Sequence, residues 1–224
     1  MALGMPVRVA ASETGAFDPL AMYGPEIRFS VWRKDRVIGS HRVRFRRDGD
    51  GTDVQIDFRV QVKLFGITAY RFEYESASVW REATLRMLDA SVNDDGQRGT
   101  LTARRFGQTV VLDATGNLHQ VEGTLFPSNH WHPGVIGQTR VLNTLTGRVD
   151  SVSISRLGRE RVETAHGYVV ADRYLYAGDL HDVDVWYDTA GRWVKLRFLT
   201  AGGERIEYRC EQCRAAERTA ERGE

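Results

Sequence analysis

His130 and His132 stand two apart around Trp131, and here residue type and spacing come closest to chemistry. In an extended stretch alternate side chains project to one side, so both imidazoles would share a face and could hold a divalent metal or an anion, or one could act as a general base. A transition-metal site needs a further ligand. His119, His166, Asp172, Asp179, His181 and Asp184 are the available donors, and none stands at a diagnostic spacing. The competing reading makes the same residues packing and hydrogen-bonding groups of a loop that closes one mouth of a sheet. The expectation is no metal and no cofactor, with His130 and His132 as catalytic residues only if the protein is an enzyme.

Asp179, His181, Asp182 and Asp184 form a second polar cluster, with Asp182 and Asp184 on one strand face. Two carboxylates so placed could serve as acid and base or bind calcium, but the spacing and closing Glu of an EF-hand are absent, and such a run is more often the wet face of a strand entering a turn. The two cysteines make one motif, Cys210-Glu211-Gln212-Cys213. Two thiolates are half of a closed zinc site, and a thioredoxin-like motif opens a helix whereas this one ends a strand, so a structural pair is expected. There is no GxSxG elbow, P-loop or GxGxxG. Ser128 lies near His130 without a third group to orient the base.

The elements that would carry these residues are strands. Val54, Ile56, Phe58, Val60, Val62 and Leu64 alternate with Gln55, Asp57, Arg59, Gln61 and Lys63, the mark of a strand with one wet face. The same alternation puts Ile27, Phe29 and Val31 on one side of an earlier strand and His41, Val43 and Phe45 on one side of its return partner. Turn sequences such as Asp48-Gly49-Asp50-Gly51 and Asn93-Asp94-Asp95-Gly96 recur every ~8–12 residues, as in a sandwich or barrel. A corner or bulge is expected at Phe65-Gly66-Ile67, separate strands around 77–81 and 84–92, and a break between strands at 149–157 and 160–165. The exception is 126–147, where Pro127, Pro133, Gly134 and Gly137 interrupt the pattern and the apolar spacing fits one or two helical turns. The fold expected is all-β: a strongly curved antiparallel sheet or open β-barrel, lipocalin-like or half-barrel-like, of about a dozen strands, with one short helical insertion at about 132–145. Residues 1–24 read as an irregular lead-in, 25–210 as a single β domain and 211–224 as a polar tail.

Lys and Arg total 31 against 30 for Asp and Glu, so no global field steers nucleic acid, and no nucleic-acid partner is expected. No run approaches the ~18 apolar residues of a membrane-spanning helix, and the first 24 residues lack the continuous apolar segment of a secretory signal. No sequence feature marks an oligomeric state. Trp32, Trp80, Trp131, Trp186 and Trp193, with Tyr70, Phe72, Tyr74, Tyr174 and Tyr176, give a curved sheet enough bulky surface to line a packed core or a pocket.

His166-Gly167-Tyr168-Val169-Val170-Ala171-Asp172-Arg173-Tyr174, Asp184-Val185-Trp186-Tyr187-Asp188 and Gly191-Arg192-Trp193-Val194-Lys195-Leu196 resemble the C-terminal pattern of bacterial proteins of the DUF6134 type, which are similar in turn to the DUF3108 family. Val37-Ile38-Gly39-Ser40-His41, Ile67-Thr68-Ala69-Tyr70, Val79-Trp80 and the 129–147 stretch fit the same pattern, so the resemblance covers roughly 26–209. It implies a curved antiparallel sheet or incomplete barrel in exported, cell-envelope proteins, with no catalytic residues to carry over. A looser likeness to lipoprotein-carrier half-barrels implies an apolar ligand. The leading expectation is therefore a non-enzymatic periplasmic or envelope protein that binds a hydrophobic or amphipathic small molecule. His130, Trp131, His132, Arg140 and Asn143 would rim the mouth, and Tyr70, Phe72 and Tyr74 would supply apolar contact. The alternatives are a metal-assisted or histidine-based enzyme and a structural or partner-binding module.

Overall fold

A computed structural model describes residues 17–64, 67–200 and 202–214. The expected corner at Phe65-Gly66, most of the lead-in and most of the tail lie outside the described residues. A meander of eight strands comes first: β1 (Glu26–Arg33), β2 (Arg36–Asp48), β3 (Gly51–Leu64), β4 (Ile67–Arg81), β5 (Thr84–Asp94), β6 (Gln97–Phe106), β7 (Thr109–Ala114) and β8 (Asn117–Glu122). Seven follow: β9 (Phe126–Pro127), β10 (Arg140–Leu142), β11 (Val149–Thr164), β12 (Gly167–Gly178), β13 (Val183–Asp188), β14 (Trp193–Leu199) and β15 (Arg205–Gln212).

All fifteen belong to one strongly curved sheet in the order β8-β7-β6-β5-β4-β3-β2-β1-β15-β14-β13-β12-β11-β10-β9. The two meanders join through β1 and β15, the first and last strands of the described residues, with Val31 opposite Tyr208 and Phe29 opposite Cys210. The sheet's two edges, β8 and β9, are neighbours in sequence. A side chain bridges this seam, Arg140 donating to the Glu122 carbonyl at 3.0 Å, and Arg105 of β6 ties down the connection between the edges by donating to the Gly123 carbonyl at 2.9 Å. The expected all-β, open-barrel architecture is what is observed.

Details differ. Strand β4 runs unbroken through 77–81, and β11 absorbs both expected strands, with a register shift between Arg156 and Gly158 taking up the irregularity. The helical insertion is shorter than expected: a 3-10 turn at Pro133–Gly137, after which Arg140–Leu142 pairs with β11 and β9. Inside the lead-in, Pro19–Tyr23 forms one α-helical turn, α1. Asp18 caps it by accepting from the Leu20 amide at 3.0 Å, and Pro19 supplies a preset φ at its first position.

Side chains fill the concavity from one end. Along the row from β3, Val54, Ile56 and Val60 are buried, while Phe58 and Val62 are half-buried. The 126–147 segment enters the barrel and brings Trp131 within 5.1 Å of Trp80 and 5.3 Å of Phe45, ring centre to ring centre. Gly147 lets this segment close up. A Cβ there would lie 2.3 Å from the Ala114 Cβ, and its φ of +74° disfavours any other residue.

The outer face of β13 is covered as well, so all six of its residues are buried. The distal half of the β11–β12 hairpin packs over it: the Trp186 indole donates to the Glu160 carboxylate, and the Ala165 amide donates to the Cys210 carbonyl at 2.9 Å. Arg173, Lys195 and Arg197 lie against the Trp186 ring. Asp184 accepts from both arginines, and these bonds hold its carboxyl below the ordinary range although burial alone would raise it. Asp184 is thus ion-paired in the outer wall, whereas Asp179, His181 and Asp182 are exposed in the turn before β13.

Candidate functional site

Beyond the reach of the 126–147 segment the barrel interior stays partly hollow. A cavity of about 180 Å³ lies between its tip and the inner faces of β2, β3, β13, β14 and β15. Its apolar wall includes Phe58, Leu180, Val183, Leu196, Phe198 and Tyr208, and its polar side chains are His41, Ser128, Asn129, His130, Asn143 and Thr144.

His41 is the least expected of these. It occupies the inward row of β2, opposite Phe29 on one side and Phe58 on the other, where alternation calls for an apolar residue. Rings of Phe58, Trp193 and Tyr208 lie within 5.6 Å of its own. It is 7% exposed, and neither ring nitrogen has a hydrogen-bond partner. Burial, reinforced by neighbouring His130, pushes its pKa down to about 3, so at neutral pH it is an uncharged imidazole offering one N–H and one lone pair.

His130 is held from behind. Tyr187 donates its hydroxyl to the His130 carbonyl at 2.7 Å, and the Tyr176 hydroxyl lies 3.4 Å from Nδ1. Burial lowers its pKa to about 4. Its φ of +60° breaks the extended backbone, and this overturns the expectation that His130 and His132 share a side. His132 turns away, its ring tilted against Phe17 at 4.1 Å and stacked on Trp80 at 5.3 Å, and its Nδ1 accepts from the Gly134 amide at 3.0 Å. Burial brings its pKa to about 4 as well. The two imidazoles therefore serve different neighbourhoods. Among the described residues no group of three or more His, Cys, Asp or Glu could hold a metal ion, so a metal shared by His130 and His132 lacks its third ligand.

The other expected site residues are dispersed. Trp131 is 2% exposed and packed in the core instead of rimming a mouth. Arg140 is at the seam. Asn143 lines the cavity but is engaged, donating to Asp150 at 2.8 Å and accepting from the Leu145 and Thr146 amides. Tyr74 is buried and donates to Asn129 Oδ1 at 3.4 Å, an atom that also accepts from Thr144 at 3.2 Å. Phe72 reaches the Phe58 ring at 5.4 Å. Tyr70 points its hydroxyl to Asp94 at 2.8 Å, away from the cavity, and partial burial together with that carboxylate raises its pKa to about 12. Ser128 Oγ accepts from the Thr144 amide at 3.4 Å.

Sequence reasoning missed His41, Phe58, Leu196, Phe198 and Tyr208. For His41 a signal existed, a lone polar residue in the apolar row shared with Val43 and Phe45. The other four are ordinary inward positions, and only the β1–β15 closure brings them together.

The architecture is similar to a solved structure, the crystal structure of a β-barrel-like protein of domain of unknown function DUF1849 from Brucella abortus. The TM-score is 0.61 with 12% sequence identity, over 86% of this chain and 97% of that one. At this identity the likeness concerns the fold alone. No curated protein matches the sequence. Among the described residues no helix is long and apolar enough to cross a membrane. The model of the family DUF6134, a domain of unknown function, matches residues 29–211, and the chain belongs to that family.

Proposed function

We propose that the protein binds a small, largely apolar molecule carrying one polar group, in the cavity that contains His41. The observation that carries this reading is the buried imidazole with neither nitrogen hydrogen-bonded, beside a pocket whose wall is mostly apolar. A buried polar group without a partner costs ~1–3 kcal/mol, and a ligand that supplies the partner recovers it. The volume of about 180 Å³ exceeds the ~150 Å³ of an apolar cavity known to accept benzene, which fits a ring or short alkyl segment. Phe58, Leu196, Phe198 and Tyr208 supply apolar contact. His41 binds the ligand's hydroxyl or carbonyl, with His130 and Asn129 beside it.

An oxidising compartment, the cell envelope, belongs to the same reading. It is supported by the Cys210–Cys213 disulfide, since such bonds persist where thiols are not kept reduced.

Native mass spectrometry of protein purified without denaturation, paired with a screen of small phenols, ketones and short alcohols by thermal shift, tests the proposal. A retained mass or a shift abolished by His41→Leu supports it. Empty protein and no shift from any probe overturn it.

A further inference from the structure

We infer a second, separate binding site: a basic cleft between the diverging ends of β2 and β3 that accepts an extended acidic peptide as an added strand. Strands β2 and β3 pair from Asp48–Gly51 up to Gly39–Val60 and no further. Beyond that point β2 remains bonded to β1 as far as Arg36, and β3 remains bonded to β4 through Leu64. Two unpaired strand edges, Arg36–Ile38 and Gln61–Leu64, thus face each other across a gap between neighbouring strands of the sheet.

The splitting has local causes. A register shift between Val31 and Trp32 makes Ile38 an extra residue on β2 and bends the hairpin tip away from β3. At Gly39 the backbones are pinched so closely that a Cβ would sit 2.0 Å from the Arg59 carbonyl oxygen. Past the pinch the strands diverge and enclose about 1090 Å³. That is above the ~300–1,000 Å³ of most small-molecule sites.

Charge specifies the occupant. The cleft is lined by Arg33, Lys34, Arg36, Arg59, Lys63 and Arg71 against two carboxylates, Asp35 and Glu73. Arg33 is paired with Glu204 and Arg59 with Glu75, whereas Lys34, Arg36, Lys63 and Arg71 have no ion-pair partner among the described residues. Cations along an open strand edge repel a second copy of the same edge, which is how edges avoid aggregation. The same cations attract a strand bearing Asp or Glu, and the edge amides and carbonyls supply main-chain hydrogen bonds. The exposed Val37 and half-buried Ile38 offer apolar contact for alternate side chains. Four residues of free β3 edge span about 13 Å, room for a segment of four or five residues.

The test is fluorescence anisotropy with a labelled eight-residue peptide alternating Glu and Val. Its backbone N-methylated form, a Lys-Val counterpart and phosphatidylglycerol vesicles are the comparisons. Wild-type protein binds the acidic peptide at low salt and not the basic one. N-methylation weakens binding at least ~10-fold because the main-chain bonds are lost. The exposed double variant Arg36→Glu/Lys63→Glu, shown to be folded by an unchanged thermal midpoint, weakens it at least ~10-fold. No binding of the acidic peptide overturns the inference. So does equal affinity for the N-methylated form, which means charge attraction alone, or charge-dependent binding to vesicles without binding to the peptide, which makes the cleft a headgroup site.

Discussion

Tyr187 donates its hydroxyl to the carbonyl of His130 at 2.7 Å, across 57 positions of sequence and at full burial. This bond fixes the inner segment at the point where its backbone has positive φ. Tyr23 does the same one residue on, donating to the Trp131 carbonyl at 2.8 Å while accepting from the Trp193 amide at 3.0 Å. Tyr187→Phe leaves one buried carbonyl unpaired and is expected to cost ~1–3 kcal/mol. Tyr23→Phe orphans two backbone groups and costs more. Urea denaturation of both variants checks the order; equal or negligible losses contradict it.

A second prediction concerns pH. His41, His130 and His132 titrate in the folded protein near 3, 4 and 4, all lowered chiefly by burial, against about 6.5 when unfolded. The unfolded chain takes up these protons first as pH falls. The stability from keeping the rings neutral is complete above pH 6.5 and declines as pH drops toward 4, by ~1.4 kcal/mol per pH unit for each ring. The paired carboxylate Asp184, held below its usual range, contributes its own loss only below about pH 4. Urea midpoints at pH 7.5, 6 and 5 should fall steadily. A flat profile over that interval means the three rings are solvated.

Strand β3 was legible because one of its faces is wet, which makes period two visible in the sequence. Strand β13 lacks such a face: Trp186 lies under three cationic side chains and Asp184 between two arginines, so its polar residues read as solvated when they are buried. The 126–147 interruption was visible from its prolines and glycines, but its direction was not. One residue with positive φ, His130, sends two histidines to different neighbourhoods, and no spacing rule anticipates that. The cavity was hidden for a further reason. Phe58 and Tyr208 stand 150 positions apart, and their rings meet at 5.5 Å only because β1 pairs with β15.

Gly147 gives a third prediction. Alanine there, in the turn between β10 and β11, combines a strained φ of +74° with a Cβ 2.3 Å from that of Ala114 at the end of β7. Overpacking of this kind costs ~1–3 kcal/mol, and the backbone conformation adds about 1 kcal/mol. The double variant Gly147→Ala/Ala114→Gly relieves the contact and should recover the packing part. No recovery in thermal unfolding would place the damage elsewhere.

Reducing the Cys210–Cys213 disulfide should destabilise modestly. A loop this short yields only ~2 kcal/mol in the chain-entropy account, or about 4–8 °C in midpoint for a domain of this size. Both sulfurs belong to residues 4% exposed, and the Cys210 carbonyl accepts from Ala165 of the covering hairpin, so reduction loosens that hairpin first. Hydrogen exchange with and without reductant should show lost protection at Ala165 before the inner strands. An unchanged midpoint and unchanged exchange would make the bond incidental to stability.

His41→Leu separates binding from folding. Every other large inward residue near the cavity stabilises by packing, so truncating it costs stability and ligand together. His41 differs because its nitrogens are buried without partners. Leucine of similar volume removes an unpaired polar group, so the ligand-free protein should gain ~1–3 kcal/mol. The same change deletes the group proposed to hold the ligand's polar atom, so affinity should fall while stability rises. The variant also loses its share of the pH dependence between 6.5 and 4, a readout that a purely steric effect leaves unmoved. A destabilised His41→Leu would mean that the imidazole is already satisfied within the fold, and the cavity would lose its claim to a ligand.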